Sequence, residues 1–242
     1  MHLRSVPAID ARYWTALTLA SIFGANMGDF VSHNLHLGHI QGVPYLVVAF
    51  ALIMLAAGLS RTEWEGWYWL AIVTLRTVAT NLADLAAHDD KFGTLPVCAI
   101  VLILMAATLL IRRIVAPDPV GVGVPRTDAG YWLAMLSAGT LGTALGDGLA
   151  DAISLPIATL VSAVAMALAL ALRVRPMVGL VVAYWLAVVA IRTVGTNVGD
   201  MLAHALSLAV STPLTGAALV ILLVIWRERR DSSIKAGPAL GS

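Results

Sequence analysis

The chain reads as an all-α, polytopic membrane protein: eight transmembrane helices arranged as four parallel helical hairpins in two similar halves. Three observations predict this. Of the 242 residues 60% are hydrophobic and 12% charged, with a mean hydropathy of +0.88, whereas a soluble domain carries roughly 25% charged residues. Apolar runs near the ~20 residues that cross ~30 Å of hydrocarbon occur eight times. A 21-residue stretch also recurs four times without a gap, from Tyr13 to His33, Tyr68 to His88, Tyr131 to Asp151 and Tyr184 to His204, and its second and fourth copies agree at 13 of 21 positions.

The N-terminal MHLRSVPAIDAR has no apolar signal-peptide core and no lipidation motif, so the first apolar run, about 13–32, is expected to span. Further helices are expected at about 43–59, 67–87, 95–112, 131–150, 155–172, 178–205 and 212–226. The second helix of each pair carries a proline near its start, Pro44, Pro96, Pro156 and Pro213, where the missing N–H would be unpaired anyway. Residues 116–128, APDPVGVGVPRTD, form a Pro/Gly-rich linker between four-helix halves at 10–115 and 129–230, and residues 231–242 are a flexible tail.

Lysine and arginine set the orientation. Twelve of the fifteen fall at the N-terminus, the 60s loop, the central linker with its flank, the 170s loop and the tail, against Lys91 alone on the opposite side. The positive-inside rule then places both termini in the cytoplasm of a bacterial inner membrane, with the four Tyr-Trp pairs at the cytoplasmic interface. The basic residues flank the membrane instead of forming a patch, so no nucleic-acid partner is expected. The lone Cys98 excludes an internal disulfide or a thiolate metal site. The bilayer is the implied partner, and the oligomeric state, homo-oligomer included, stays open.

Each copy places an aspartate 16 residues after its tyrosine: Asp29, Asp84, Asp147 and Asp200. A carboxylate in hydrocarbon costs roughly 2.5 to 3.5 kcal/mol on the insertion scale, so four of them at one register need a compensating purpose. On a helix, the positions eight, seven, four and three before the aspartate and four after it share a stripe about 140° wide. In the fourth copy the stripe reads Arg192, Thr193, Thr196, Asn197, Asp200 and His204; in the second it reads Arg76, Thr77, Thr80, Asn81, Asp84 and His88. The first keeps Ser21, Asn26, Asp29 and His33, and the third Thr140, Thr143, Asp147 and Asp151. Gly24/Gly28, Gly142/Gly146 and Gly195/Gly199 add small-xxx-small pairs that let these helices approach, which makes them the inner bundle and the even helices its lipid-facing ring.

With Trp14, Trp69, Trp132 and Trp185 each fifteen residues before a repeat aspartate, the chain resembles a family of bacterial membrane proteins of unknown function, sometimes labelled predicted membrane-anchored proteins. That family is built from four tandem two-helix repeats with a marked tryptophan, and the resemblance covers most of residues 10–227. It implies the architecture and no activity.

Function therefore has to come from the residues. The foremost reading is a secondary transporter, not an enzyme, whose substrate is a divalent metal cation. In Asp-x-x-x-His (Asp29/His33, Asp84/His88, Asp200/His204) a carboxylate and an imidazole four residues apart face one way and can converge on an ion. Asp147 and Asp151 are the third copy's version. Asn26, Asn81 and Asn197 with Thr80 and Thr196 add neutral oxygens, and donors without thiolate suit Mn²⁺, Zn²⁺ or Fe²⁺. Coupling to protons is expected. Arg76 and Arg192, permanently charged at mid-membrane depth, need an anion or a water-filled cavity, and Asp200 and Asp84 on neighbouring helices are the expected partners. The alternatives are a structural clamp made of those ion pairs, a haem protein using His88 and His204, a cation channel ringed by aspartates, and an anion carrier using the arginines. No haem is expected, because each histidine has an aspartate one turn below.

Overall fold

The computed structural model describes residues 7–62, 64–89, 92–115, 126–173 and 179–235, without the side chains of 88, 89 and 227–235. It holds eight helices and, among the described residues, no strand: α1 Ala11–Asp29, α2 Gly38–Leu59, α3 Gly66–Asp84, α4 Thr94–Val115, α5 Ala129–Ile153, α6 Leu155–Leu172, α7 Leu180–Leu206 and α8 Leu208–Lys235. Single π turns, Phe30–Asn34 and Leu85–Asp89, continue α1 and α3 immediately after Asp29 and Asp84. Six of the helices, all but α1 and α5, are long and apolar enough to cross a membrane. The other two are the inner helices of their repeats, where polar side chains face neighbouring helices and not lipid, so they cross with less hydropathy.

The odd helices close a four-membered ring in which α1 packs on α3, α3 on α5, α5 on α7 and α7 back on α1. Each even helix packs mainly on the inner helix of the next repeat, α2 on α3, α4 on α5, α6 on α7 and α8 back on α1, while α6 and α8 also touch the inner helices of their own hairpins. Burial separates the two shells, with 61% of α3 and 67% of α7 inside the molecule but only 17% of α2, α4 and α6. The outer shell presents Val48, Leu102, Leu168 and Val220 outward, an apolar surface that water would not tolerate and lipid tails match. This is a polytopic membrane protein of repeated helical hairpins.

Local chemistry fixes the helix ends. Asp10 caps α1 by accepting from the Tyr13 N–H (3.0 Å), and Asp128, three residues before Tyr131, does the same for α5 (2.7 Å). Asp128 also holds Arg112 of α4 at 2.9 Å. At the opposite ends the hairpins turn sharply, and the residue 23 positions after each tyrosine takes positive φ in three copies: His36 (56°), Ser154 (77°) and Ser207 (71°). The equivalent position of the second copy, Lys91, lies outside the described residues, and there Gly93 takes positive φ (78°) just before α4.

Three expectations change. α2 and α8 begin at Gly38 and Leu208, earlier than the apolar runs suggest, so Pro44 and Pro213 lie within helices and not at their first turn. The Tyr-Trp pairs do not turn their rings to the lipid: the four tyrosines are 0–3% exposed and Trp69, Trp132 and Trp185 3–6%, because they face the bundle interior, and Trp14 is half-buried. α8 runs through Lys235, into the segment read as a tail. Residues 116–125 of the expected linker and 236–242 lie outside the described residues.

Candidate functional site

The axis of the inner ring is layered in steps of four residues. At one end the four repeat tyrosines close a circle of hydroxyls, with Tyr13 to Tyr68 2.9 Å, Tyr68 to Tyr131 2.6 Å, Tyr131 to Tyr184 3.2 Å and Tyr184 to Tyr13 2.7 Å. One hydroxyl proton per bond satisfies all four. The next layer is apolar: Leu17, Ile72, Met135 and Val188, each at most 1% exposed. Together they seal this end.

The third layer alternates large and small, with Arg76 and Arg192 on opposite helices and Ser21 and Gly139 between them. The first and third copies are therefore complements of the second and fourth: four arginines could not share this layer, and the small residues make room for two. The next turn interlocks the same way. A methyl on Gly24 would lie 2.6 Å from Arg76 Cγ, and one on Gly142 2.8 Å from the Arg192 carbonyl carbon.

Arg76, 1% exposed, donates to Thr143 Oγ1 (2.6 Å), Thr196 Oγ1 (2.7 Å), the Gly139 carbonyl (3.2 Å) and the Arg192 carbonyl (3.4 Å). The expected pairs Asp200–Arg76 and Asp84–Arg192 do not form. Among the described residues neither arginine makes an ion pair, since the threonine layer lies between them and the aspartates, one turn from each. Thr80 is buried with its hydroxyl unpartnered.

The asparagines clamp helices. Asn26 donates to Ser211 on α8 (3.2 Å), Asn197 to Ser162 on α6 (3.1 Å), and Asn81 to the Gly28 carbonyl on α1 (3.1 Å). None of the three lines the cavity beyond them.

That cavity, about 620 Å³, opens at the end opposite the tyrosines and is lined by Asp29, Asp84, Asp147, Asp151, Asp200, His33, His39 and His204. All four repeat aspartates thus converge. The Asp-x-x-x-His pairing differs from side chain meeting side chain: the Nδ1–H of His33 and of His204 donates to the backbone carbonyl of Asp29 (3.1 Å) and of Asp200 (2.8 Å). A carbonyl only accepts, so at His204 this fixes the tautomer and leaves Nε2 facing away as the acceptor, whereas His33 Nδ1 also meets the Ser32 hydroxyl at 3.0 Å. His88's side chain lies outside the described residues. Among those described, no three His, Cys, Asp or Glu side chains are gathered tightly enough to hold an ion.

Sequence reasoning missed His39, whose Nε2 lies 3.8 Å from Asp84 Oδ2 and whose ring stands 5.6 Å from that of His33. The signal was the early start of α2, which carries His39 to the cavity. The tyrosine circle was missed as well, although its four residues open every copy.

A family model described as Repeat of Unknown Function (DUF347) matches residues 12–63, 130–177 and 183–231, which are the first, third and fourth hairpins and more than half of the chain. No curated protein and no solved structure matches.

Proposed function

We propose, from the premise that the chain belongs to the DUF347 repeat family, whose function is unknown, that it is a secondary transporter of a divalent metal cation coupled to protons. One observation carries the reading: five carboxylates line a cavity open at one end of a bundle whose other end is closed by hydroxyls and apolar side chains. Access from one side only is what an alternating-access carrier shows in one of its states. A channel would need a continuous path, and Arg76 and Arg192 lie across it.

A cation entering among five carboxylates in a site with little water balances its charge by releasing protons from them. Exchange of one for the other is the coupling. With no tight ligand set among the described side chains, the ion enters with part of its water shell, and at about 30 Å³ per water the cavity has room for it. Carboxylate and imidazole donors favour Mn²⁺, Fe²⁺ or Zn²⁺. The excess of arginine beside the tyrosine end supports a cytoplasmic position for that end and for both termini, with the acidic mouth facing outward from a bacterial inner membrane.

The test is thermal unfolding of purified protein with Mn²⁺, Zn²⁺, Fe²⁺, Mg²⁺ and no metal. A transition metal that raises the melting temperature in a saturable way, with the effect lost in Asp84→Asn and Asp200→Asn, is the expected result. Equal melting in every condition overturns the reading.

A further inference from the structure

A groove of about 1440 Å³, more than twice the volume of the acidic cavity, runs along the outside of the bundle between α4 and α6, floored by α5 and α7. Its walls are almost wholly apolar. The two hydroxyls on them are already committed within the protein: Ser162 accepts from Asn197 and donates to the Thr159 carbonyl, and Thr193 donates to the Val189 carbonyl. Water needs two to four polar partners to be held, and the groove supplies none, so hydrocarbon is its natural filling. From Cys98 to Arg113 along α4 it extends about 22 Å, more than the ~15 Å of hydrocarbon in one leaflet.

One end of the groove is basic. Arg112 and Arg113 of α4 line it there. Arg112 is buried and committed, with Nε on Asp128 (2.9 Å) and Nη2 on the Arg126 carbonyl (3.0 Å). Arg113 is exposed and has no hydrogen bond or ion pair among the described residues. Because Asp128 also caps α5 at Tyr131, this end is level with the tyrosine circle, where the bundle meets the membrane face. α7 begins at the same mouth without a side-chain cap on its first N–H groups. Gly179 leaves the entrance open, since a Cβ built on it would meet nothing within 4 Å. A guanidinium beside an uncapped helix start favours an anion.

We propose that this groove binds one anionic phospholipid, with the acyl chains between α4 and α6 and the phosphate at Arg113. Basic pockets between spanning helices at a membrane face are the recurrent form of anionic headgroup sites. A second copy of the chain fits less well, because in a two-fold dimer the same patch faces itself, so two concave grooves would meet and both stay unfilled. The site is separate from the acidic cavity and does not rest on the transport reading.

The test is native mass spectrometry of the detergent-purified full chain, titrated with dioleoyl phosphatidylglycerol or with dioleoyl phosphatidylcholine. The wild-type chain should retain one phosphatidylglycerol at concentrations where it retains little of the zwitterionic lipid. Arg113→Gln should lower the phosphatidylglycerol affinity about fivefold, the factor to which about 1 kcal/mol per basic residue amounts, and leave phosphatidylcholine unaffected. Ala165→Phe, at an exposed position on the groove wall, should weaken phosphatidylglycerol retention while the melting temperature in lipid-free detergent is kept. Equal retention of the two lipids by the wild-type chain overturns the proposal. So does a phosphatidylglycerol affinity unchanged in either variant, or a lipid-free dimer.

Discussion

Removing hydroxyls from the tyrosine circle, one and two at a time, gives a result that only a closed four-membered ring can produce. Tyr13→Phe breaks two bonds, to Tyr68 and Tyr184, and leaves one hydroxyl proton among the remaining three without an acceptor. At about 1 kcal/mol per bond and about 1 kcal/mol for the orphaned donor, the cost is about 3 kcal/mol. Adding Tyr131→Phe on the opposite corner breaks the other two bonds and orphans a second donor, so this diagonal double variant is additive at about 6 kcal/mol. Adding Tyr68→Phe on the adjacent corner breaks only three bonds in total and orphans one donor, so it stops at about 4 kcal/mol. The coupling energy is thus about 2 kcal/mol for neighbours and near zero for diagonals. Unfolding free energies in mixed micelles measure it. Equal coupling in adjacent and diagonal pairs would refute the ring, as would single variants as stable as the wild type.

Four further outcomes are expected. Gly24→Val should destabilise by about 2 kcal/mol or prevent folding, because the added carbons meet Arg76 Cγ and Cβ, and a thermal melt reads it. Ser162→Ala should cost about 1 to 3 kcal/mol by stranding the buried Asn197 amide, whereas Ser162→Thr, which keeps a hydroxyl, should cost less in the same unfolding assay. Arg76→Lys should lower the melting temperature although the charge is kept, because one ammonium cannot reach both Thr143 and Thr196 as the guanidinium fork does. His39→Gln, which keeps much of the side-chain volume beside His33 and Asp84 but loses the imidazole, should weaken cation-dependent stabilisation more than it shifts the melt of the metal-free protein.

Much of this was legible in the sequence because the repeat is undisguised. Four aspartates in one register place four carboxylates at one height, and the shared polar stripe sorts inner helices from outer ones. The tyrosines were not legible as axial residues for a geometric reason. On a straight helix a residue sixteen positions from the aspartate lies about 160° away round the surface, so it reads as facing outward. In the bundle the axial positions advance by fours, from Tyr184 through Val188, Arg192 and Thr196 to Asp200, and the inward face drifts round each helix as helices crossing on their four-residue ridges require. The arginine partners failed on the same count. Charge complementarity points to the aspartates, but the threonine layer intervenes, and backbone carbonyls with hydroxyls reach Arg76 first. The histidines were placed on the right face, yet nothing in the spacing says that Nδ1 will take the backbone carbonyl of the aspartate and not share an ion with its carboxylate.

If the acidic cavity is a transport site, it exchanges protons for a divalent cation. Protein reconstituted in vesicles with a pH-sensitive dye inside and Mn²⁺ added outside tests it most directly. Proton movement that begins on adding Mn²⁺, runs opposite to the metal and disappears in the Asp84→Asn, Asp200→Asn double variant is the predicted result. Metal entry without proton movement, or no metal entry by wild-type protein of native stability, would contradict it.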